Sequence, residues 1–178
     1  MAVITESILP IAGYALRAWR SSDAQALHVV INHPSVGEYL ADWYPKDGYT
    51  LEMANDWVNG GSAIGGTNWA ITYNDVAIGS AGIHPQSGFS RCNVEIGYWL
   101  AHAHWGRGVG TAVVAALTAQ AFALPQVTRV FAPIHAGNLR SQRICEKNGF
   151  VREGLLRQST MKWDKAIDVV LWAIYRTH

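Results

Sequence analysis

The sequence lacks several features that would commit a chain of this size to a particular partner or compartment. Its 178 residues carry a formal net charge of only +1, so there is no global electrostatic attraction to nucleic acid or to an acidic protein. No apolar run approaches the roughly 18 residues that a membrane-spanning helix needs. Residues 1–13 contain Glu6 and Pro10 and no basic segment, so we do not interpret them as a secretory signal. We therefore expect neither nucleic acid nor a membrane among its partners.

Cysteine is also scarce, whereas tryptophan is abundant. Cys92 and Cys145 form neither a CxxC pair nor a metal-ligand spacing, so no metal site is predicted. We expect both thiols to be reduced, which favours a cytoplasmic location. Eight tryptophans supply large rings of the kind that build cores and line pockets.

The organisation predicted from the sequence is a single domain over residues 1–178 with its core at about 14–174. Predicted strands cover Tyr14–Trp19, Asn68–Tyr73, Val76–His84, Asn93–Leu100, Arg129–Ile134, Phe150–Leu156 and Asp168–Ile174. Predicted helices cover Ser22–Asn32 with a Ser22–Gln25 capping box, about Leu51–Asn59 with Thr50 as cap, Val109–Leu124, and Asn138–Asn148 with Gly149 as the stop. A strand, a crossover helix and a strand within an antiparallel meander predict an α/β fold, with a mixed sheet and helices on both faces.

A glycine-rich turn, Gly106–Gly110 (GRGVG), lies between a predicted strand and the start of an apolar helix. Glycines allow positive φ, and successive N–H groups at a helix start form an anion site to which Arg107 adds a cation. The turn therefore predicts a phosphate site, with a tight turn that binds nothing as the alternative. It is not a P-loop, because the lysine is missing. It is not a dinucleotide fingerprint either, because Val130 and Phe131 stand where an acidic residue is needed.

A second motif, Asn138–Phe150 (NLRSQRICEKNGF), follows about thirty residues later. Together the two motifs resemble the GNAT acetyltransferases, whose loop usually reads QGRGIG or WGKGYA and whose later block reads N-x-x-S/A-x-x-x-(Y/x)-E-K-x-G-F. Here the loop is WGRGVG, and the later block is matched at Asn138, Ser141, Glu146, Lys147, Gly149 and Phe150. EIGYWL (Glu95–Leu100) and DVVLWAI (Asp168–Ile174) are also similar, so the resemblance runs from about Tyr14 to Ile174. It is greatest to the branch that acetylates the N-terminal alanine amine of ribosomal proteins, with its small-molecule relatives.

The resemblance implies a GNAT fold whose mostly antiparallel sheet is splayed at its centre, with acetyl-CoA as cosubstrate. Backbone N–H groups around Gly108 would hold the pyrophosphate, and the pantetheine arm would lie in the gap between the parted strands. Asn138 would bind pantetheine, and Arg143 would reach the nucleotide end. The residues expected to bind acetyl-CoA are Tyr98, Trp99, Leu100, Ala101, Trp105, Gly106, Arg107, Gly108, Val109, Gly110, Thr111, Asn138 and Arg143.

The general base for acetyl transfer is expected to be Glu95, which faces the cleft by the family pattern and takes a proton from the amine, directly or through water. The alternative without chemistry is a carboxylate in solvent or one paired with Arg91. His135 and His84 are further candidate bases, although a structural role is more typical of a histidine at a strand end.

Acetyl transfer also requires a group that assists the departing thiolate. Many family members carry a tyrosine seven residues after the asparagine to protonate it, but here that position is Cys145, which we expect to be packed in the core. In the ribosomal branch a serine contacts the sulfur instead, which implies this role for Ser141. A backbone N–H near Trp99–Leu100 would polarise the carbonyl.

The acceptor should enter opposite acetyl-CoA, through a mouth formed by Ser35–Thr67 and a loop over Gln158–Ile167. Within it Trp43, Tyr44 and Trp57 are expected to bind the substrate, with packing of the helices onto the sheet as the alternative for most of these rings. A mildly acidic rim would come from Asp42, Asp47, Glu52 and Asp56.

The predicted activity is direct acetyl transfer in a ternary complex to a primary amine, either a protein N-terminus or a small molecule. The resemblance also allows a homodimer. One alternative is an acyl-CoA sensor or interaction module of the same fold without turnover, which the missing tyrosine favours. Another is a nucleotide-binding regulator.

Overall fold

The sheet and its helices are seen in a computed structural model that describes residues 6–41, 43–60 and 66–177. The strands are β1 (Glu6–Ile8), β2 (Tyr14–Arg17), β3 (Thr67–Tyr73), β4 (Val76–Pro85), β5 (Asn93–Leu100), β6 (Arg129–His135), β7 (Val151–Lys162) and β8 (Lys165–Tyr175). The α-helices are α1 (Ala24–Ile31), α2 (Pro34–Gly37), α3 (Leu51–Val58), α4 (Val109–Phe122) and α5 (Leu139–Lys147). None of these helices is long and apolar enough to cross a membrane.

The strand order confirms the predicted fold class. The strands lie in the order β1-β2-β3-β4-β5-β6-β8-β7, and only β5 and β6 are parallel among the strand pairs of the described residues. A parallel pair needs a crossover connection, and α4 supplies it. All the residues of β4 from Ala77 to His84 are buried, so both faces of the sheet are covered there.

The parallel pair separates at the centre of the sheet. Asn93, Val94 and Glu95 pair with Arg129, Val130 and Phe131, and the pairing stops there. Beyond Glu95, β5 continues along β4 as far as Leu100, while β6 continues along β8 as far as His135. A wedge therefore opens between the two strands, which is the splay expected from the family resemblance.

Helix α4 forms because its sequence offers little but apolar side chains and good helix formers. Its buried residues, Val109, Val113, Val114, Leu117 and Ala121, pack into one core cluster with the sheet and with Cys145 and Phe150 around α5. A second cluster is built from α1, α2, α3 and the rings of Tyr44 and Tyr49. The first cluster joins Val94, Ile96 and Leu100 of β5 to Val109 at the start of α4.

The first helix begins differently from the prediction, because Ser22 is not its N-cap. Residues Ser21–Asp23 form a 3-10 turn, and the capping contact is made by Asp23, which accepts the backbone N–H of Arg20 at 2.9 Å. The guanidinium of Arg17 donates to both oxygens of this buried carboxylate, at 2.7 and 2.9 Å. The buried ion pair fastens β2 to the start of α1.

Strand β1 and the short α2 were not predicted.

The caps predicted for two later helices are confirmed. The hydroxyl of Thr50 accepts the backbone N–H of Met53 at 3.2 Å at the start of α3. Gly149 has a φ of 79° just after α5, a conformation that glycine adopts without strain. The loop predicted from the glycine pairs near residues 60–66 lies partly outside the described residues, as do Gly61 and Gly65.

The predicted loop over Gln158–Ile167 is wrong, because β7 and β8 continue as a long hairpin. After an irregularity between Leu156 and Thr160, Thr160–Lys162 pair with Lys165–Ile167. The tip docks onto a distant segment: the indole N–H of Trp163 donates to the carbonyl of Tyr44 at 3.0 Å, and Lys46 lies 3.5 Å from Asp164. We call this contact the hairpin clasp.

Candidate functional site

Two cavities meet at the wedge between β5 and β6. The first has a volume of about 320 Å³, and its lining includes Trp43, Glu95 and Thr160. The second has a volume of about 530 Å³ and runs along the glycine-rich turn and α5. Six residues line both cavities: Tyr39, Leu40, Tyr98, Trp99, Asn138 and Ser141. A ligand in one cavity can therefore touch a ligand in the other at this junction.

The second cavity ends on the start of α4, as the sequence predicted. Gly106 and Gly108 have φ values of 75° and 80°, and Gly108 is the N-cap of α4, with no side chain to cap it. The first N–H groups of a helix have no intrahelical acceptor, so those of Val109, Gly110 and Thr111 remain for another partner. These residues and both glycines line the cavity. The arrangement suits an anion.

Basic side chains of α5 reinforce this character. Arg140, Arg143 and Lys147 all line the second cavity, and its lining, as the described residues define it, includes no carboxylate. The guanidinium of Arg140 lies 3.9 Å from the ring centre of Trp105, whose indole N–H donates to the carbonyl of Leu100 at 2.7 Å. Of the three cations only Arg143 was predicted. The spacing i, i+3, i+7 along a helix was the signal for the other two.

Two residues expected to bind acetyl-CoA are placed unfavourably for it. The N–H of Ala101 donates to the carbonyl of Ile78 at 2.7 Å, and its own carbonyl accepts the N–H of His104 at 3.0 Å. Both of its backbone groups are thus used within the fold. Arg107 is exposed and does not belong to the described lining of either cavity. The other residues expected to bind acetyl-CoA line the second cavity.

The junction is organised by the start of α5. The side-chain oxygen of Asn138 accepts the N–H of Ser141 at 3.1 Å, which is the predicted N-cap. This leaves the amide nitrogen of Asn138 as the group that can donate to a ligand carbonyl. The hydroxyl of Ser141 lies 2.8 Å from that of Tyr98 on β5. The sequence predicts Tyr98 as an acetyl-CoA-binding residue, but it does not predict this contact of the Tyr98 hydroxyl with Ser141.

Glu95 lines the first cavity, at the point where β5 leaves β6. Burial raises the pKa of this carboxyl above its ordinary value, and the neighbouring His84, its cross-strand partner, opposes that shift. Arg91 does not pair with it, since its guanidinium donates to the carbonyl of Gly88 at 3.3 Å. A carboxylate with a raised pKa in a cavity is a candidate base.

Two histidines lie in the same cavity as Glu95. Burial, with a smaller contribution from the charge of Lys162, lowers the pKa of His135, so this imidazole is more fully neutral near pH 7. Its ring meets that of Tyr39 edge to face, with 6.2 Å between centroids. His84 is buried opposite Glu95. Position alone does not rank the three groups, since all of them line the cavity.

The structure places two of the three aromatic residues predicted to bind the substrate in the first cavity and the third outside its described lining. Trp43 and Trp57 line the first cavity and stack on each other with centroids 5.2 Å apart. Tyr44 is absent from the described lining: it is buried in the second core cluster, and its hydroxyl donates to the side-chain oxygen of Asn32 at 3.0 Å. The predicted acidic rim is not formed by Asp47, Glu52 or Asp56, which are exposed and outside this lining. Asp42 lies outside the described residues.

Comparison with known proteins identifies the family of this chain. The family model for the acetyltransferase (GNAT) domain matches residues 14–151. The uncharacterized N-acetyltransferase YoaA of Bacillus subtilis is 26% identical over 167 residues, which cover 90% of this chain and 92% of that protein. The ribosomal-protein-serine acetyltransferase of Escherichia coli is 33% identical over 79 residues, 44% of each chain.

A solved structure has the same fold. RimL, a ribosomal L7/L12 α-N-protein acetyltransferase solved with coenzyme A, superposes with a TM-score of 0.79 at 22% identity, over 95% of this chain and 98% of its own. The family match spans the splayed strands, the glycine-rich turn and α5. This chain therefore belongs to the GNAT family of acetyltransferases.

Proposed function

We propose that this protein transfers the acetyl group of acetyl-CoA to a primary amine by direct attack within a ternary complex. The observation that carries the proposal is the junction, where a cationic cavity ending on free helix amides meets a cavity that contains a candidate base. The diphosphate would lie at the start of α4 and the nucleotide near Arg143 and Lys147. The thioester would then reach Tyr98 and Ser141, where an amine from the first cavity can attack it.

The reaction requires few chemical groups from the protein. An alkyl amine has a pKa near 10, so most of it is protonated at neutral pH, whereas an α-amino group near 8 needs less help. The neutral amine attacks, and Glu95 takes the proton that the nitrogen loses as it bonds to the carbonyl carbon, because the raised pKa of Glu95 brings its basicity closer to neutral pH than that of an ordinary carboxylate. A backbone N–H near Trp99 stabilises the oxyanion, and Ser141 contacts the sulfur. Holding the amine and thioester together supplies the rest.

The acceptor is either a protein N-terminus or a small-molecule amine. The named activity of the E. coli relative supports the first. The stacked Trp43 and Trp57 support an acceptor with an apolar group beside its amine, since this wall offers rings rather than charge. Glu95 is the only carboxylate in the described lining of the first cavity, which favours a monoamine over a polyamine.

The test is release of free thiol from acetyl-CoA in the presence of amines: peptides beginning with alanine or serine, and small aromatic and aliphatic monoamines. We expect Glu95→Gln to lower kcat/KM by about 100- to 10,000-fold. The limb of the pH profile that rises through the raised pKa of Glu95 should disappear, because the deprotonated form is the active one. Glu52→Gln, an exposed glutamate on α3, is the matched control and should leave the rate unchanged.

Three other outcomes would change the assignment. If His135→Asn rather than Glu95→Gln abolished turnover, the base would be the histidine. If acetyl-CoA bound but no amine released thiol, the chain would be the sensor that Cys145 in place of tyrosine favours. If ATP or NAD displaced acetyl-CoA from the second cavity, the proposal would fail altogether.

A further inference from the structure

A pair of hydroxyl groups lies at the junction of the two cavities. Tyr98 comes from β5 and Ser141 from the first turn of α5, and their oxygens are 2.8 Å apart. Each residue lines both cavities. The pair therefore stands where a thioester from one cavity and an amine from the other must meet.

Packing fixes the ring of Tyr98 in this place. A Cβ added to Gly110 would lie 3.7 Å from Cε2 of that ring, so the ring rests against the first turn of α4. The ring also lies close enough to Cys145 for the two groups to interact electrostatically. Tyr98 is therefore held beside Gly110 of α4 and near Cys145 of α5.

Cys145 cannot stabilise the leaving group in place of the tyrosine that many family members carry there. Its side chain is fully buried, and burial raises the pKa of the thiol to about 12. At the junction a tyrosine hydroxyl is instead supplied by Tyr98, from a different element. Burial also raises the pKa of Tyr98 above its ordinary value, so its O–H persists as a hydrogen-bond donor over the working pH range.

We propose that Tyr98 is a positioning residue, whose hydroxyl donates to the oxygen of Ser141 and so turns the Ser141 O–H toward the sulfur of the departing coenzyme A. This inference rests on the proposed acetyl transfer. When two hydroxyls face a forming anion in series, each polarises the next, and the terminal hydrogen bond is strengthened. Without a partner, the O–H of Ser141 is free to rotate away from the sulfur. A hydrogen bond donated by Tyr98 to the Ser141 oxygen blocks that orientation of the Ser141 O–H.

The step balances without a proton leaving the tyrosine. The amine nitrogen forms its bond to the carbonyl carbon, and its proton passes to Glu95. The carbonyl reforms as the C–S bond breaks, and the electron pair of that bond goes to sulfur. The thiolate departs hydrogen-bonded to Ser141 and takes its proton from solvent after release. The pair therefore contributes hydrogen bonds to the negative charge on sulfur, not acid catalysis.

The experiment is a double-mutant cycle of Tyr98→Phe and Ser141→Ala, with steady-state kinetics on an amine that the wild-type protein acetylates. We expect Ser141→Ala to lower kcat by about 10- to 100-fold and Tyr98→Phe by about tenfold, as for lost hydrogen bonds to a charged group. The double variant should be no slower than Ser141→Ala, because the tyrosine acts through the serine. KM for acetyl-CoA and the melting temperature should change little.

Tyr49→Phe is the matched control. Its hydroxyl is also buried and donates to a backbone carbonyl, that of Met53 at 3.3 Å, but it lies outside the described lining of both cavities. It should leave kcat unchanged. The inference is overturned if Tyr98→Phe behaves like this control, if it raises KM instead of lowering kcat, or if the two effects simply add. A wild-type chain that releases no thiol with any amine would overturn the proposed function instead.

Discussion

The substitution Gly108→Ala isolates the contribution of the glycine-rich turn to acetyl-CoA binding. Gly108 has a φ of 80°, and a Cβ placed there would meet only Cδ1 of Ile11, at an ordinary 3.7 Å. The new methyl group therefore causes no clash, and the cost is that of a left-handed residue, about 1–2 kcal/mol. Because packing does not hold an alanine at position 108 in the left-handed conformation, we expect the turn to relax when acetyl-CoA is absent. Binding of acetyl-CoA should then have to restore the left-handed conformation.

The size of the effect follows from that cost. If all of it appears in binding, the Kd for acetyl-CoA rises by about 5- to 30-fold, because 1.4 kcal/mol is a factor of ten. Any part that the free protein retains as strain appears instead as a lower melting temperature, about 2–4 °C per kcal/mol for a chain of this length. Isothermal titration calorimetry gives the part of the cost that appears in binding. A thermal melt of the same samples gives the part that the free protein retains as strain.

Gly88→Ala is the control for the backbone strain alone. Gly88 has a φ of 59° and lies in the connection between β4 and β5, away from both cavities, and a Cβ at this position would have no atom within 4 Å. The substitution should lower the melting temperature by a comparable amount and leave the Kd for acetyl-CoA unchanged. A Gly108→Ala protein that matched the wild type in both Kd and melting temperature would refute the reasoning, since the cost of the left-handed residue would then appear in neither measurement.

Three further substitutions or probes test the packing around the site. Arg17→Leu leaves a buried carboxylate without its cation and should cost about 3–5 kcal/mol in a denaturant titration, whereas Lys46→Ala removes only an exposed contact and should cost almost nothing. Gly79→Ala would drive a methyl group into a backbone carbonyl of β5, so we expect a lower melting temperature together with weaker acetyl-CoA binding, and an unchanged protein would contradict the β4–β5 register. Iodoacetamide should label Cys92 in the native chain and spare Cys145, whose thiol is buried with a pKa of about 12; mass spectrometry showing two adducts before denaturation would contradict that burial.

The parts of the fold that sequence predicted are those whose determinants are local. Helix α4 follows from a largely apolar, alanine-rich run that ends near Pro125, and Asn138 caps α5 through a contact three residues away. The glycine-rich turn was recognisable because its conformation is a property of the glycines themselves. The wedge between β5 and β6 came from family resemblance, since no residue pattern marks the point where two strands part.

The parts that sequence missed depend on contacts between distant residues. Ser22 and Asp23 are both good caps by residue type, and Arg17 on a neighbouring strand decided between them. The hairpin tip has no apolar alternation, and it is ordered by Tyr44, 119 residues from Trp163. The contact of the Tyr98 hydroxyl was missed, because its partner lies 43 residues further on.

The hairpin clasp lies on the side of the molecule that we propose for the acceptor. The proposed donor side is built from the glycine-rich turn and α5, which are contiguous with the main core, whereas the proposed acceptor side is bounded by Leu40, Ala41 and Trp43 and by strands that end in an exposed tip. Lengthening or recharging that tip would reshape the entrance for the amine without disturbing a single amide at the start of α4. A scaffold arranged in this way can exchange one acceptor for another while the thioester end stays constant.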